Sequence, residues 1–135
     1  MLNDELRQRI IQAAIEARQW AYAPYSNYKV GAALLTESGR VYEGVNVENA
    51  AYPTGMCAER VAVYKAISEG ERNFVAIAVV TSNGGAPCGA CRQVLSEFGA
   101  ETRVLIADHQ GHLLQELSVA ELLPGAFGPK DLPGS

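Results

Sequence analysis

The chain has 135 residues with a formal net charge of −4, and 48% of its residues are hydrophobic. This length is typical of one domain, and the apolar content excludes wholesale disorder. The acidic balance argues against a broad nucleic-acid-binding surface, which is normally basic. No apolar run reaches the length of a membrane span, and the first residues lack the apolar core of a signal peptide. We therefore expect a single cytoplasmic domain over residues 1–135, with neither a nucleic-acid nor a membrane partner.

Hydrophobic periodicity and turn signals predict alternating helices and strands along the chain. The elements are a helix from residue 4 to about 21, strands over 28–37 and 40–47, a helix over 58–68, a strand over 74–81, a helix over 87–98, a strand over 103–107 and a short helix opened at residue 118. A hairpin followed by β-α-β connections predicts an α/β fold, with one mixed sheet of about five strands and helices packed on it. Residues 124–135 are rich in Gly and Pro, which predicts an extended tail.

Three cysteines, Cys57, Cys88 and Cys91, lie in the middle third of the chain. Because the number is odd, they cannot all pair as disulfides within one chain. Cys88 and Cys91 are three residues apart at a predicted helix start, which places their side chains on one face. Together with Cys57 they supply three sulfur ligands, and three protein ligands plus water are typical of catalytic zinc. The alternatives are a redox-active dithiol and three thiols buried as small apolar groups.

Glu59 follows Cys57 by two residues. In a regular helix such positions point about 200° apart, so both can face one site only if Cys57 is the non-helical N-cap. There Glu59 would accept a proton from a water molecule at the metal. Without a metal, it is a first-turn carboxylate favoured by the helix dipole. His109 and His112 flank a polar turn and are predicted to be exposed to solvent rather than to bind metal.

Several ordered motifs of this sequence resemble those of the zinc-dependent cytidine deaminases, in particular the short form that acts on free nucleosides. The resemblance covers residues 22–127 and rests on APYS from residue 23, VGAA from 30, NVENAAY from 46, CAER from 57, PCGACRQ from 87 and LLPGAF from 122. It implies a three-layer α/β/α fold with one Zn²⁺ per chain, held by Cys57, Cys88 and Cys91, and Glu59 as the catalytic proton carrier. The implied reaction is hydrolysis of cytidine and 2′-deoxycytidine to uridine and 2′-deoxyuridine with release of ammonia, as part of pyrimidine salvage.

The resemblance also implies the substrate contacts. Asn46 and Glu48 lie two residues apart on a predicted strand, so they face one side, and they would bind the 3′-hydroxyl of the ribose. Tyr28 stands where the family usually has Phe packed near the sugar and base, and Ala58 is a further contact. Phe127 would stack on the base in a neighbouring subunit of a homotetramer.

Three thiolates around Zn²⁺ leave a formal charge of −1, which acidifies a bound water less than neutral imidazole ligands do. Positive groups near the sulfurs can offset this charge. The candidates are Arg60, which contacts the ligand sulfurs in the resembled family, and the N-termini of the two predicted helices.

Two other functions stay open on the sequence. One is deamination of a cytosine-containing antibiotic such as blasticidin S, by enzymes that share the cysteine-glutamate motif. The other is a non-catalytic zinc module that mediates protein association. The Asn46 and Glu48 pair favours a nucleoside sugar, and Glu59 beside an open metal position favours an enzyme.

Overall fold

A computed structural model describes residues 2–133. The helices and strands in chain order are α1 (Asp4–Arg18), β1 (Gly31–Thr36), β2 (Val41–Val45), α2 (Ala58–Ser68), β3 (Phe74–Thr81), α3 (Gly89–Glu97), β4 (Arg103–Asp108), β5 (Leu113–Ser118) and α4 (Val119–Leu122). No helix within this part of the chain is long and apolar enough to cross a bilayer.

One mixed sheet of five strands runs in the order β2-β1-β3-β4-β5. β1 is antiparallel to both β2 and β3. β3 and β4 are parallel, with α3 as the crossover between them, and β5 returns antiparallel to β4. The predicted fold class is therefore confirmed, including the hairpin and the following β-α-β unit.

The helices cover both faces of the sheet. Side chains alternate along β1, so Ala33 and Leu35 join the core formed with α1, whereas Ala32 and Leu34 join the core formed with α2, α3 and α4. All six residues of β1 are buried, as expected for a strand covered on both sides. These layers give the expected α/β/α arrangement.

Three predicted boundaries in the first half of the chain are wrong by a few residues, and each has a local cause. α1 ends at Arg18 because the next amides, those of Trp20 and Ala21, bond three residues back and tighten the chain into a turn. β1 and β2 are shorter than predicted because the Asn46 side chain takes over the hydrogen bonds of the preceding segment. Its Oδ1 accepts from Val30 N over 2.9 Å, and its Nδ2 donates to Tyr28 O over 2.8 Å.

The position of β5 was not predicted from the sequence. Leu113, Leu114 and Gln115 are all exposed at this edge of the sheet, so the strand lacks the alternation that marks a half-buried strand. The predicted capping box does open α4, with Ser118 and Glu121 bonded reciprocally. Within the predicted tail over 124–135, Pro129–Asp131 form a 3₁₀ turn, and residues 134–135 lie outside the described residues.

Glu116 of β5 connects the edge strand to α1 and β4. Arg7 donates to both of its oxygens over 2.8 and 3.1 Å, and Arg103 Nε lies 3.2 Å from Oε2. The hydrogen bond from Arg7, helped by Arg103, lowers the pKa of Glu116. This ionised carboxylate therefore stabilises the fold above its unfolded pKa of about 4.3, and the contribution is lost as the pH falls through the lower folded value.

We expect Glu116→Gln to lower the midpoint of urea unfolding at pH 7. The gap between parent and variant should be smaller at pH 3, because this pH lies below the unfolded pKa of about 4.3 and the contribution of the ionised carboxylate is being lost. Glu37→Gln, at an exposed site, is the matched control and should leave the midpoint unchanged at either pH. A gap of the same size at pH 3 and pH 7 would contradict this role for the carboxylate.

Candidate metal centre and active site

A cavity of about 640 Å³ lies where the first turns of α2 and α3 meet the carboxyl end of β3. Its lining includes Cys57 and Glu59 from α2, Cys88 from α3 and Thr81 from β3. The volume is within the usual range for a small-molecule site. Two of the three predicted metal ligands, Cys57 and Cys88, therefore open onto a space large enough for a substrate.

The start of α2 has the conformation that lets Cys57 and Glu59 face one site. Cys57 is the N-cap, with extended backbone angles of φ −76° and ψ 151°, and Glu59 lies in the first turn. α2 approaches β2 closely at Gly44, where a Cβ atom would lie 2.3 Å from the carbonyl oxygen of Ala58. Any side chain at position 44 would therefore displace the turn that carries Cys57 and Glu59.

α3 begins at Gly89, so the predicted start at Pro87 is wrong by two residues. Cys88 is the N-cap and Cys91 is the third residue of the helix. The side chains of these two positions meet at a helix start, which is the geometry that a capping box exploits. The two sulfurs lie 3.5 Å apart.

All three cysteine sulfurs lie within 4.8 Å of one another, and the Cys57 and Cys88 sulfurs are 3.8 Å apart. Tetrahedral zinc with Zn–S bonds of about 2.3 Å would place two sulfur ligands about 3.8 Å apart. The donor set and its spacing thus fit a zinc ion. His109 and His112 are both exposed, and among residues 2–133 the cluster is formed by cysteines alone.

Arg60 places a positive charge beside the sulfurs. Its Nη2 lies 3.6 Å from Cys57 Sγ, and its Nε is buried with no hydrogen-bond partner among residues 2–133. A hydrogen bond from Cys91, together with Arg60, lowers the pKa of Cys57 to about 5. The thiolate in turn raises the pKa of Arg60, and its proximity raises the pKa of the buried Cys91 thiol. Cys57 is therefore a thiolate at neutral pH, as a metal ligand must be.

Glu59 is almost completely buried, with 5% of its surface exposed. Burial, together with the nearby negative charge of Cys57, raises the pKa of Glu59 to about 7, although Arg60 opposes the shift. A carboxyl group with a pKa near the working pH can both accept and return a proton. Its chemistry therefore suits the proton carrier that the sequence predicts.

Asn46 and Glu48 both line the cavity. The Glu48 carboxylate accepts hydrogen bonds from the amides of Tyr25 and Ser26 over 3.0 and 3.1 Å, and also from the Ser26 hydroxyl. The hydrogen bonds from Ser26 lower the pKa of Glu48, so the group is ionised at neutral pH. A carboxylate offers about four acceptor positions, which leaves one for a substrate hydroxyl. Asn46 likewise keeps one N–H beyond its two bonds within the chain.

Tyr28 and Ala58 also line the cavity, whereas Phe127 lies elsewhere. The Tyr28 hydroxyl donates to Asn83 Oδ1 over 2.8 Å, a partner that the sequence did not reveal. Ala58 is fully buried. Phe127 is 57% exposed, and its carbonyl oxygen accepts a hydrogen bond from Gln93 over 2.9 Å. Eight of the predicted residues thus line the cavity or join the sulfur cluster behind it, Arg60 contacts that cluster, and Phe127 lies apart from both.

Arg92 is a supporting residue that sequence reasoning missed. Its Nε donates to Pro87 O over 2.7 Å, and its Nη1 donates to Leu122 O over 2.9 Å. The guanidinium therefore joins the turn before Cys88 to the end of α4. Its place directly after Cys91 in the quoted motif was the one available signal, because both partners are backbone carbonyls that leave no trace in a sequence.

Comparison with known proteins agrees with this site. Residues 4–107 match the family described as the cytidine and deoxycytidylate deaminase zinc-binding region. The chain is 54% identical over 129 residues to the cytidine deaminase of Halalkalibacterium halodurans, covering 93% of this chain and 97% of the relative. It is 48% identical over 128 residues to the cytidine deaminase of Sporosarcina psychrophila, covering 93% of each.

Among solved structures, the cytidine deaminase of Burkholderia pseudomallei superposes with a TM-score of 0.85 at 48% identity, covering 93% of this chain and all of that one. The cytidine deaminase of Mycobacterium tuberculosis gives a TM-score of 0.81 at 38% identity, covering 94% and 99%. The chain therefore belongs to the cytidine and deoxycytidylate deaminase family. Its cofactor is zinc, which the three-cysteine cluster can hold.

We expect Arg60→Ala to retain zinc, because the three sulfurs are unchanged, but to lower kcat. Loss of a group beside the ligands typically costs about 10- to 100-fold in activity or metal affinity. Metal analysis and steady-state kinetics check both parts. Arg72→Ala is the matched control, since its guanidinium donates to the backbone carbonyls of Ile67 and Glu71, away from the sulfurs. An unchanged kcat with full zinc content would show that Arg60 does not tune the site.

Proposed function

We propose that this protein hydrolyses cytidine and 2′-deoxycytidine to uridine and 2′-deoxyuridine, with release of ammonia. The observation that carries the proposal is a buried carboxyl group with a pKa near neutrality, Glu59, in one cavity with a three-sulfur metal site. The names of the relatives, which are cytidine deaminases, support the choice of substrate. We place the reaction in the cytoplasm, as part of pyrimidine salvage.

Zinc, when bound, supplies the Lewis acidity that makes water a nucleophile near neutral pH. Glu59 accepts one proton of the attacking water and passes it to N3 of the base. The second water proton leaves with the 4-amino group, so that ammonia departs and a carbonyl remains at C4. Because Glu59 ends the cycle in the state in which it began, one carboxylate serves both proton transfers.

Asn46 and Glu48 are proposed to bind the ribose. The ionised Glu48 can accept a hydrogen bond from the 3′-hydroxyl, and the free N–H of Asn46 can donate to the same oxygen. Both side chains are held by bonds to the segment before β1, so little side-chain entropy is lost on binding. Tyr28 and Ala58 then pack near the sugar and base.

We expect Glu59→Gln to retain zinc but to lower ammonia release from cytidine at least about 100-fold, since it removes the general acid and base. An ultraviolet assay of cytidine loss and metal analysis of the same sample check this. Glu43→Gln, on β2 and exposed, is the matched control. Turnover of blasticidin S by the parent without turnover of cytidine would contradict the proposal, and so would full activity in Glu59→Gln.

The protein is further proposed to be a homotetramer in which Phe127 reaches the cavity of a neighbouring subunit. Its exposure and its distance from the cavity of its own chain support this role. The hydrogen bond from Gln93 to the Phe127 carbonyl fixes the backbone from which the ring projects. Trp20 and Tyr52, which are 75% and 76% exposed, provide apolar surface suited to burial between subunits.

We expect Phe127→Ala to raise KM for cytidine by roughly 2- to 10-fold, the loss of one aromatic stacking contact. Phe127→Tyr keeps the ring and should restore the parent KM. Sedimentation velocity should give the same tetramer for all three proteins. A fully active monomer would exclude a contribution of Phe127 from another subunit.

A further inference from the structure

Tyr28 lies between two walls of the cavity that come from distant parts of the chain. One wall is the segment 25–30, which precedes β1 and contacts Glu48. The other is the loop 82–87, which leads from β3 to Cys88. The hydroxyl of Tyr28 crosses between them and donates to Asn83 Oδ1 over 2.8 Å.

The loop 82–87 is held from its strand end by a buried hydroxyl. Thr81 Oγ1 accepts hydrogen bonds from the amides of Gly84 and Gly85 over 2.8 and 2.9 Å, and it donates to Asn83 Oδ1 over 3.3 Å. Thr81 is 2% exposed. Asn83 Oδ1 therefore receives two hydroxyl groups, one from inside the loop and one from the opposite wall.

The opposite wall holds Tyr28 by its backbone. Tyr28 N donates to Ser26 Oγ over 3.0 Å, and Tyr28 O accepts from Asn46 Nδ2 over 2.8 Å. Asn27 adopts a φ of 58°, the left-handed region that Asn tolerates better than most residues. The Tyr28 backbone is thus held directly by Asn46, and through Ser26 by Glu48, the two residues proposed to bind ribose. The Tyr28 hydroxyl connects this wall to the loop.

Gly85 lies close to the hydroxyl of Tyr28 and leaves no room there for a Cβ atom. A Cβ atom at position 85 would lie 2.5 Å from the Tyr28 hydroxyl oxygen but 3.7 Å from the ring carbon that carries it. The first distance is a clash, whereas the second is an ordinary contact. A methyl group at position 85 would therefore have to displace the Tyr28 hydroxyl, whereas it would tolerate the ring carbon.

We propose that the Tyr28 hydroxyl is a positioning group that, through Asn83, holds the loop 82–87 at a fixed distance from the ribose wall. The inference rests on the proposed nucleoside deamination and explains a tyrosine where Phe is usual. A preformed cavity binds substrate without the cost of ordering the loop. Loss of the bond should therefore weaken binding of ground state and transition state alike, which raises KM and leaves kcat little changed.

The kinetic test compares Tyr28→Phe, Asn83→Ala and the double variant, all with zinc content verified. Each single variant should raise KM for cytidine about 3- to 10-fold, the range for loss of one hydrogen bond. The double variant should be no worse than Asn83→Ala alone, because Asn83→Ala already removes the partner of the Tyr28 hydroxyl. Additive effects, or a fall in kcat with KM unchanged, would mean that Tyr28 acts on the substrate directly and would overturn the proposal.

Amide hydrogen exchange of the substrate-free protein tests the loop without any turnover. Peptides over 82–87 should exchange faster in Tyr28→Phe and Asn83→Ala. The amides of Gly84 and Gly85 are protected while they stay bonded to Thr81, and loss of the Tyr28 bond lets the loop leave this position more often. Tyr42→Phe is the matched control, since it loses a hydroxyl bond to Glu71 away from the cavity. Unchanged exchange in Tyr28→Phe would overturn the inference even if the parent deaminates cytidine. Faster exchange in Tyr28→Phe, found together with a parent that fails to turn over cytidine, would uphold the role of the Tyr28 hydroxyl and reject the proposed function.

Gly85→Ala provides a rescue experiment. In the parent it should raise KM and speed exchange of the loop, because the added methyl group displaces the Tyr28 hydroxyl. In the Tyr28→Phe background the same substitution should add little, since the clashing oxygen is gone. An equal rise in KM and in loop exchange in both backgrounds would contradict the proposed contact between Gly85 and the Tyr28 hydroxyl.

Discussion

Three cysteine sulfurs meet at the N-termini of two helices, and the rest of the site depends on this meeting. Cys57 and Cys88 are N-caps, so each lies on extended backbone directly before the first turn of its own helix. The third residue of each helix lies beside its cap. In α2 this residue is Arg60, and in α3 it is Cys91. The same arrangement of N-cap and third residue thus brings the positive charge of Arg60 to Cys57 and the third sulfur ligand, Cys91, to Cys88. The positive ends of the two helix dipoles add to the stabilisation of negative charge on the sulfurs.

Glu59 experiences two opposing effects in this setting. Burial disfavours its ionised form, and the neighbouring thiolate adds to that effect, whereas Arg60 favours the charge. The balance leaves a carboxyl group that is neither firmly ionised nor firmly neutral, which a proton carrier requires. Close packing of α2 on Gly44 fixes the first turn in which this balance is set. A change in the sheet can therefore alter proton transfer without any contact with substrate.

The sequence predicted the features that depend on spacing and periodicity. These include the α/β class, the helix carrying Glu59 and the convergence of Cys57 with the Cys88 and Cys91 pair. It did not predict hydrogen bonds that end on backbone atoms, and these shift the start of β1 and hold Asn46 and Glu48 in place. β5 was missed because an exposed edge strand carries no alternation. The partner of the Tyr28 hydroxyl lies 55 residues away, so only the fold reveals it.

Zinc-edge X-ray absorption on the purified protein tests the central claim most directly, because it counts the ligands without reference to activity. The account predicts three sulfur scatterers at about 2.3 Å and one lighter oxygen scatterer at about 2.0 Å. Four sulfurs, a histidine scattering pattern, or protein that holds no zinc would contradict it.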